Sequence, residues 1–215
     1  ILTLAYRPAE LSLLLIEQGT AQTLTPFRSL PHTLSYLAPT PSAAGVQRFL
    51  TMLYTEVARR EERQREGKSQ PRLLIVLNEC LATEPMSPLL EALLVLGSTN
   101  RMPGMHLLFA AESLFSKEIN AVTRLYQQIR DFVQYRICLR CSSVEESRAL
   151  IYRDDATFLP ASLPGRGYLL RGEQLDLFQG ARLFQAGTQE IVRPRQEPST
   201  DKDIVAVMTT PIVKG

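Results

Sequence analysis

Short apolar runs alternate along this chain with longer stretches in which apolar positions recur at helical spacing. Leu11 to Ile16 reads as a strand, and Leu73 to Leu77 as a strand buried on both faces. Met105 to Ala110 is a third strand, and Tyr135 to Cys141 a fourth. Between them lie helical patterns. Ser42 is the N-cap of a helix through Val46, Phe49, Leu50, Leu53 and Val57, which Gly67 ends as a C′ glycine. Ser87-Pro88 reads as an N-cap with proline at N1, opening a helix through Leu89, Leu93, Leu94 and Leu96. Ile119, Val122, Tyr126 and Ile129 mark a further helix, and Ser143-Val-Glu-Glu146 is a capping box for a short one reaching about Tyr152. Tyr168–Leu170 and Leu175–Phe178, on either side of Arg171-Gly-Glu-Gln174, predict a β-hairpin. Glu17 to Thr40 is loop-like. The alternation predicts an α/β fold with a central, mostly parallel sheet.

The 215 residues fit one large α/β domain, or one domain plus an appendage. Residues 1–185 are expected to form the domain, 186–203 a polar linker, and 204–215 the start of a following segment. A net charge of +2 is too small to argue for nucleic acid or membrane. No apolar run reaches the ~18 residues of a membrane span. The N-terminus lacks a signal peptide's basic region and cleavage site, and it lacks an initiator methionine; the chain reads as cut from a longer protein.

The obvious chemical motifs have plain explanations. Gly67-Lys68-Ser69 matches the end of a phosphate loop, but Glu62 stands where the first glycine belongs, and the motif follows a helix and precedes a strand. A phosphate loop needs the reverse order, so that a helix N-terminus faces the phosphates. Arg59 to Glu66 alternates in sign and reads as a solvated helix face with Glu56–Arg60 and Glu61–Arg65 pairs. His32 and His106 have no third ligand to complete a metal site. Cys138-Leu-Arg-Cys141 spells C-x-x-C, but on a strand residues three apart point to opposite faces. A redox pair also needs a helix N-terminus, and there is no second pair for zinc. All three cysteines, Cys80 included, are read as reduced thiols. Gly165-Arg-Gly167 is explained by a tight turn.

The chemistry lies at the end of Arg72-Leu-Leu-Ile-Val-Leu-Asn78-Glu79. In doubly wound sheets ligands sit beyond the carboxyl ends of the strands. A P-loop NTPase has an acid there to hold Mg²⁺ and a residue to orient the attacking water. Asn78 is neutral, whereas Glu79 can serve the water. Glu112 follows the third strand and would lie beside Glu79; a γ-phosphate sensor and a solvated loop carboxylate are both open to it.

Several stretches together resemble the FtsK/SpoIIIE family of hexameric P-loop motors, and within it the ATPase modules of type VII secretion, the EccC/EssC group. They are Tyr6-Arg-Pro to Ile16, Leu30-Pro-His32, Arg72 to Glu79, Gly104-Met-His-Leu to Ala110, Tyr135-Arg-Ile to Arg148, Leu163-Pro-Gly-Arg-Gly-Tyr-Leu169 and Phe178-Gln-Gly-Ala-Arg182. The resemblance implies a RecA-like P-loop NTPase core with helices on both faces and a C-terminal β-hairpin, and ATP and Mg²⁺ as cofactors. It implies Glu79 as the catalytic residue, Asn78 as a weakened metal-side contact and Glu112 at the sensor position. Arg136 and Arg148 become candidates for contacts across a ring interface. Arg136 could equally be an exposed strand residue, and Arg148 could pair with Glu145.

The chain also departs from the family. The usual Asp-x-Lys is Glu17-Gln18-Gly19, the Walker B Asp-Glu is Asn78-Glu79, and the sensor Gln-Arg-Pro is Glu112-Ser-Leu114. No phosphate loop occurs in these residues. The reading that follows is a degenerate ATPase module of a secretion motor. It would hold nucleotide weakly or as a structural ligand, and serve ring assembly or substrate docking. Its partners would be other ATPase modules and small exported proteins with a C-terminal signal, at the inner face of a membrane reached through other parts of a larger protein. The alternative is an active FtsK-type DNA translocase, for which no basic stripe or stacking platform is visible.

Overall fold

The computed structural model describes residues 2–18, 23–37, 42–79, 86–99, 103–111, 133–180 and 205–209. A helical turn, α1 (Leu2–Ala5), leads into β1 (Leu11–Glu17). A 3₁₀ turn (Thr25–Phe27), β2 (Thr33–Leu37), α2 (Ala43–Arg65), β3 (Arg72–Asn78), α3 (Ser87–Ser98), β4 (Met105–Ala111) and β5 (Tyr135–Leu139) follow. The chain continues through α4 (Val144–Ile151), a second 3₁₀ turn (Asp155–Phe158), β6 (Arg166–Arg171), β7 (Gln174–Gln179) and β8 (Val205–Thr209).

The strands form one sheet in the order β2-β1-β3-β4-β8-β5-β6-β7. β2, β1, β3 and β4 pair in parallel. β8 is antiparallel to both β4 and β5, so β5 points the same way as β1 to β4. β6 and β7 close the far edge as an antiparallel hairpin. The carboxyl ends of β1, β3 and β4 therefore emerge along one edge. Val205–Thr209, which the sequence reading assigned to a segment beyond a linker, lies inside this sheet.

Alternation sorts the strand residues between two faces. Leu14, Ile75 and Leu107 share a register position and belong to the main core, with Val46, Phe49, Leu50, Leu53 and Val57 of α2 and Leu89, Leu93 and Leu96 of α3. Leu11, Leu13 and Leu15 form a smaller cluster on the other face, with Leu24, Tyr36, Leu74 and Val76 against it. The helical pattern at 119–129 and the linker at 189–203 lie outside the described residues.

Local chemistry sets the ends of the elements. Ser42 accepts a hydrogen bond from Gly45 N (3.1 Å) and caps α2 as expected, and Gly67 leaves the helix at φ +65°. Ser143 accepts from Glu146 N (3.1 Å) and caps α4. α3 begins one residue earlier than expected: Met86 stands at the cap without a side-chain bond, and Ser87 is already helical. β2 was read as loop. Its Thr-Leu-Ser-Tyr-Leu sequence suits an edge strand once β1 offers an unpaired ladder. The Arg59–Glu66 face is only partly solvated, because Arg60 is fully buried. It pairs with Glu56 (2.7 Å) and reaches the carbonyls of Pro103 (3.4 Å) and Gly104 (3.3 Å), tying α2 to the turn before β4. Arg65 pairs with Glu62.

Candidate functional site

The register that aligns the parallel strands brings their last residues together. Glu17 is paired with Asn78, and Asn78 with Ala110. Six residues of β1 are apolar or small, and the seventh, Glu17, is 1 % exposed. Burial of a carboxylate is tolerated only where donors surround it. Leu24 N donates to Glu17 Oε1 (2.9 Å), Tyr36 Oη to Oε2 (3.1 Å) and Asn78 Nδ2 to Oε1 (3.4 Å). Asn78 is itself 6 % exposed. An amide is the residue type that fits here, because it can donate where an aspartate could only repel.

Glu79 leaves β3 with φ +53°, a conformation that side chains other than glycine rarely adopt. Its N–H still continues the ladder to Ala110 O (2.9 Å), and Gln18 N reaches Asn78 O (3.0 Å). Backbone held in this way at the ligand end of a sheet is where functional sites store strain. Glu112 follows the last residue of β4 and lies outside the described residues. Sequence reasoning noted Glu17 only as a departure from the family pattern. The signal that would have made it a site residue is the lone carboxylate closing an apolar strand.

The chain is similar over 95 % of its length to the ESX-4 secretion system protein EccC4 of Mycobacterium tuberculosis, at 26 % identity. Over 84 % of its length it is 25 % identical to the ESX secretion system protein EccC of Geobacillus thermodenitrificans. It spans 18 % and 13 % of those two proteins. The solved cytoplasmic domain of the Thermomonospora curvata type VII secretion ATPase EccC superposes on 85 % of the chain with a TM-score of 0.66 at 27 % identity, matching 23 % of that structure. The chain is a relative of the EccC/EssC type VII secretion ATPases. No family model matches it. A further T. curvata structure of similar fold (TM-score 0.55, 20 % identity, 84 % of this chain and 32 % of that one) holds EccC ATPases 2 and 3 in complex with a signal sequence peptide.

Among type VII secretion ATPases the ligand to expect at this edge is Mg²⁺ with ATP, and the residues here do not fit it. Asn78 brings no charge and points its amide at Glu17. Both Glu17 oxygens already accept hydrogen bonds from the protein. Among the described residues no group of His, Cys, Asp and Glu is arranged to hold a metal ion.

The two interface candidates are engaged within the chain. Arg136 is buried, lies over the Tyr152 ring (4.8 Å to its centroid) and donates to Leu150 O (3.5 Å) at the end of α4. Cations are favoured at that position by the helix dipole. Arg148 is exposed and pairs with Asp154 through two bonds, one of 2.8 Å, and not with Glu145 as the sequence suggested. A cavity of about 590 Å³ opens at the opposite edge of the sheet, lined by Tyr6, Glu10, Arg72, His106 and Tyr135 among others. It sits at the amino ends of the parallel strands, away from Asn78 and Glu79. His106 there is held below the usual histidine range by burial, then by the nearby Arg72 and Arg60 charges. No described helix is long and apolar enough to cross a membrane.

Proposed function

We propose that this chain is a catalytically degenerate module of a type VII secretion motor, acting in ring assembly or substrate docking. The observation that carries the proposal is Asn78, a neutral amide turned onto the buried Glu17 at the place where a hydrolytic site needs a metal-holding acid. Losing that acid removes the ion that neutralises charge developing on the transferred phosphoryl group. Any nucleotide bound at this edge is a structural ligand. The signal sequence peptide bound to T. curvata EccC supports the docking role, with small exported proteins as the substrates. The partners in assembly are other ATPase modules of the same motor, at the inner face of a membrane.

The test is phosphate release by the full-length protein, before and after Glu79→Gln. Removing a residue that orients the attacking water lowers turnover in a working motor, for which values of about 1–100 s⁻¹ are normal. Here the two rates are expected to be equal within error. A drop of about tenfold or more would show that this site hydrolyses ATP and that the degenerate reading is wrong.

A further inference from the structure

The cavity at the amino ends of the parallel strands has no part in the chemistry of Asn78 and Glu79. Strand register builds its floor. Leu11 is the partner of Arg72 and Leu74 the partner of His106, and Arg72 and Leu74 are two residues apart on β3. All four side chains therefore share the face of the sheet away from α2 and α3. Tyr135 reaches the same face through β8, whose Met208 is the register partner of both Leu108 and Tyr135. The segment before β1 forms another wall, with Leu2 and Tyr6 in the lining. His32, 6 % exposed, holds that segment in place by donating from Nε2 to Tyr6 O (2.8 Å). The cavity is thus formed before any ligand arrives. Its volume of about 590 Å³ lies in the range of small-molecule sites, about 300–1,000 Å³.

We propose that this cavity binds a small amphiphilic carboxylate, its apolar chain against Leu11, Leu74 and Tyr135 and its carboxylate on the Arg72 guanidinium. Arg72 is exposed and takes part in none of the ion pairs among the described residues. A guanidinium holds a carboxylate through two parallel N–H···O bonds. Glu10 also lines the cavity, but its Oε2 already accepts from Arg7 N (2.8 Å). The field at the floor is positive: after burial, the charges that hold His106 below its ordinary value are both cations, Arg72 and Arg60. A cationic ligand would be repelled there, and an uncharged one would leave Arg72 unpaired. A phosphate ester with two charges is the poorer match, because a single guanidinium stands among apolar walls. The chain of the ligand would also cover Leu2 and Tyr6, which are 46 % and 42 % exposed at the mouth. Nothing in this site depends on whether Asn78 and Glu79 support hydrolysis.

The probe is decanoate, titrated into the full chain below its micelle-forming concentration. Decanol serves as the uncharged twin and acetate as the carboxylate without a chain. Calorimetry reads the affinity, and the His106 ring reports by NMR, its signal assigned by its loss in His106→Gln. Saturable binding of decanoate is expected, with decanol and acetate at least about fivefold weaker. A carboxylate on Arg72 cancels part of the positive field at His106. The titration midpoint of the ring should therefore rise with decanoate and stay in place with decanol. Arg72→Gln should weaken decanoate at least about fivefold and leave decanol unchanged. Tyr6→Ala should weaken both, because it removes a wall and not the charge. Arg72 and Tyr6 are exposed, and matched unfolding midpoints establish that both variants are folded. No saturable binding, equal affinity for decanoate and decanol, or decanoate binding that Arg72→Gln leaves intact would overturn the proposal.

Discussion

Replacing the Asn78 amide with a carboxylate would set two negative groups against each other, since Glu17 Oε1 lies 3.4 Å from Asn78 Nδ2 in a buried site. The hydrogen bond is lost and a like-charge contact replaces it. Asn78→Asp should therefore cost about 1–3 kcal/mol at neutral pH. Urea denaturation of the two proteins at neutral pH measures the difference. His106 gives a second residue-level expectation. Its folded pKa lies below the ordinary value of 6.5, first through burial and then through Arg72 and Arg60. Between the folded and unfolded values the unfolded chain binds more protons, so stability rises with pH across that window and falls as pH drops below about 6.5. His106→Gln should flatten the dependence of the urea midpoint between about pH 7.5 and about pH 5. A slope unchanged by the substitution would place the acid sensitivity elsewhere.

At the scale of elements, caps and close contacts decide where the chain turns. Ser143 holds the start of α4 through Glu146 N, and Ser143→Ala should cost about 1 kcal/mol in thermal or chemical unfolding. Gly167, read in the sequence as a turn glycine, sits on β6 against β5. A Cβ there would meet Leu139 Cδ2 at 2.6 Å and the Cys138 carbonyl oxygen at 2.9 Å. Because a backbone atom is among the obstacles, Gly167→Ala should destabilise by about 1–3 kcal/mol, read as a lowered unfolding midpoint. The elements legible in the sequence were those whose signal is local. β1, β3, β4, α2 and the hairpin carry a period or a cap in their own residues. β2 was missed because a short edge strand has little pattern of its own and is stabilised by the neighbour that pairs with it. The end of β5 was overrun for the same kind of reason: nothing in Tyr135 to Cys141 announces that pairing with β6 stops at Leu139.

For the whole molecule, the unusual feature is that β4 and β5 do not touch as partners. β8 lies between them, paired from Leu107↔Thr209 to Ala111↔Val205 on one side and from Tyr135↔Met208 to Ile137↔Ala206 on the other. A chain ending at Gln185 would leave two unpaired ladders in the middle of the sheet. Such edges invite pairing with other chains. The shortened chain should unfold at lower temperature and associate, measured by thermal melts and light scattering. A monomeric product with an unchanged melt would mean that β8 adds nothing to the sheet.

The sequence by itself determined the alternation of strands and helices, the place of Asn78 and Glu79 at the end of β3, and the likeness to secretion ATPases. Each of these is written in residues close together in the chain. Only the tertiary structure decided that Glu17 faces Asn78. It alone turned Arg136 inward. Those contacts depend on strand register and on where pairing stops. Both are set by neighbours distant in sequence, which local periodicity does not encode.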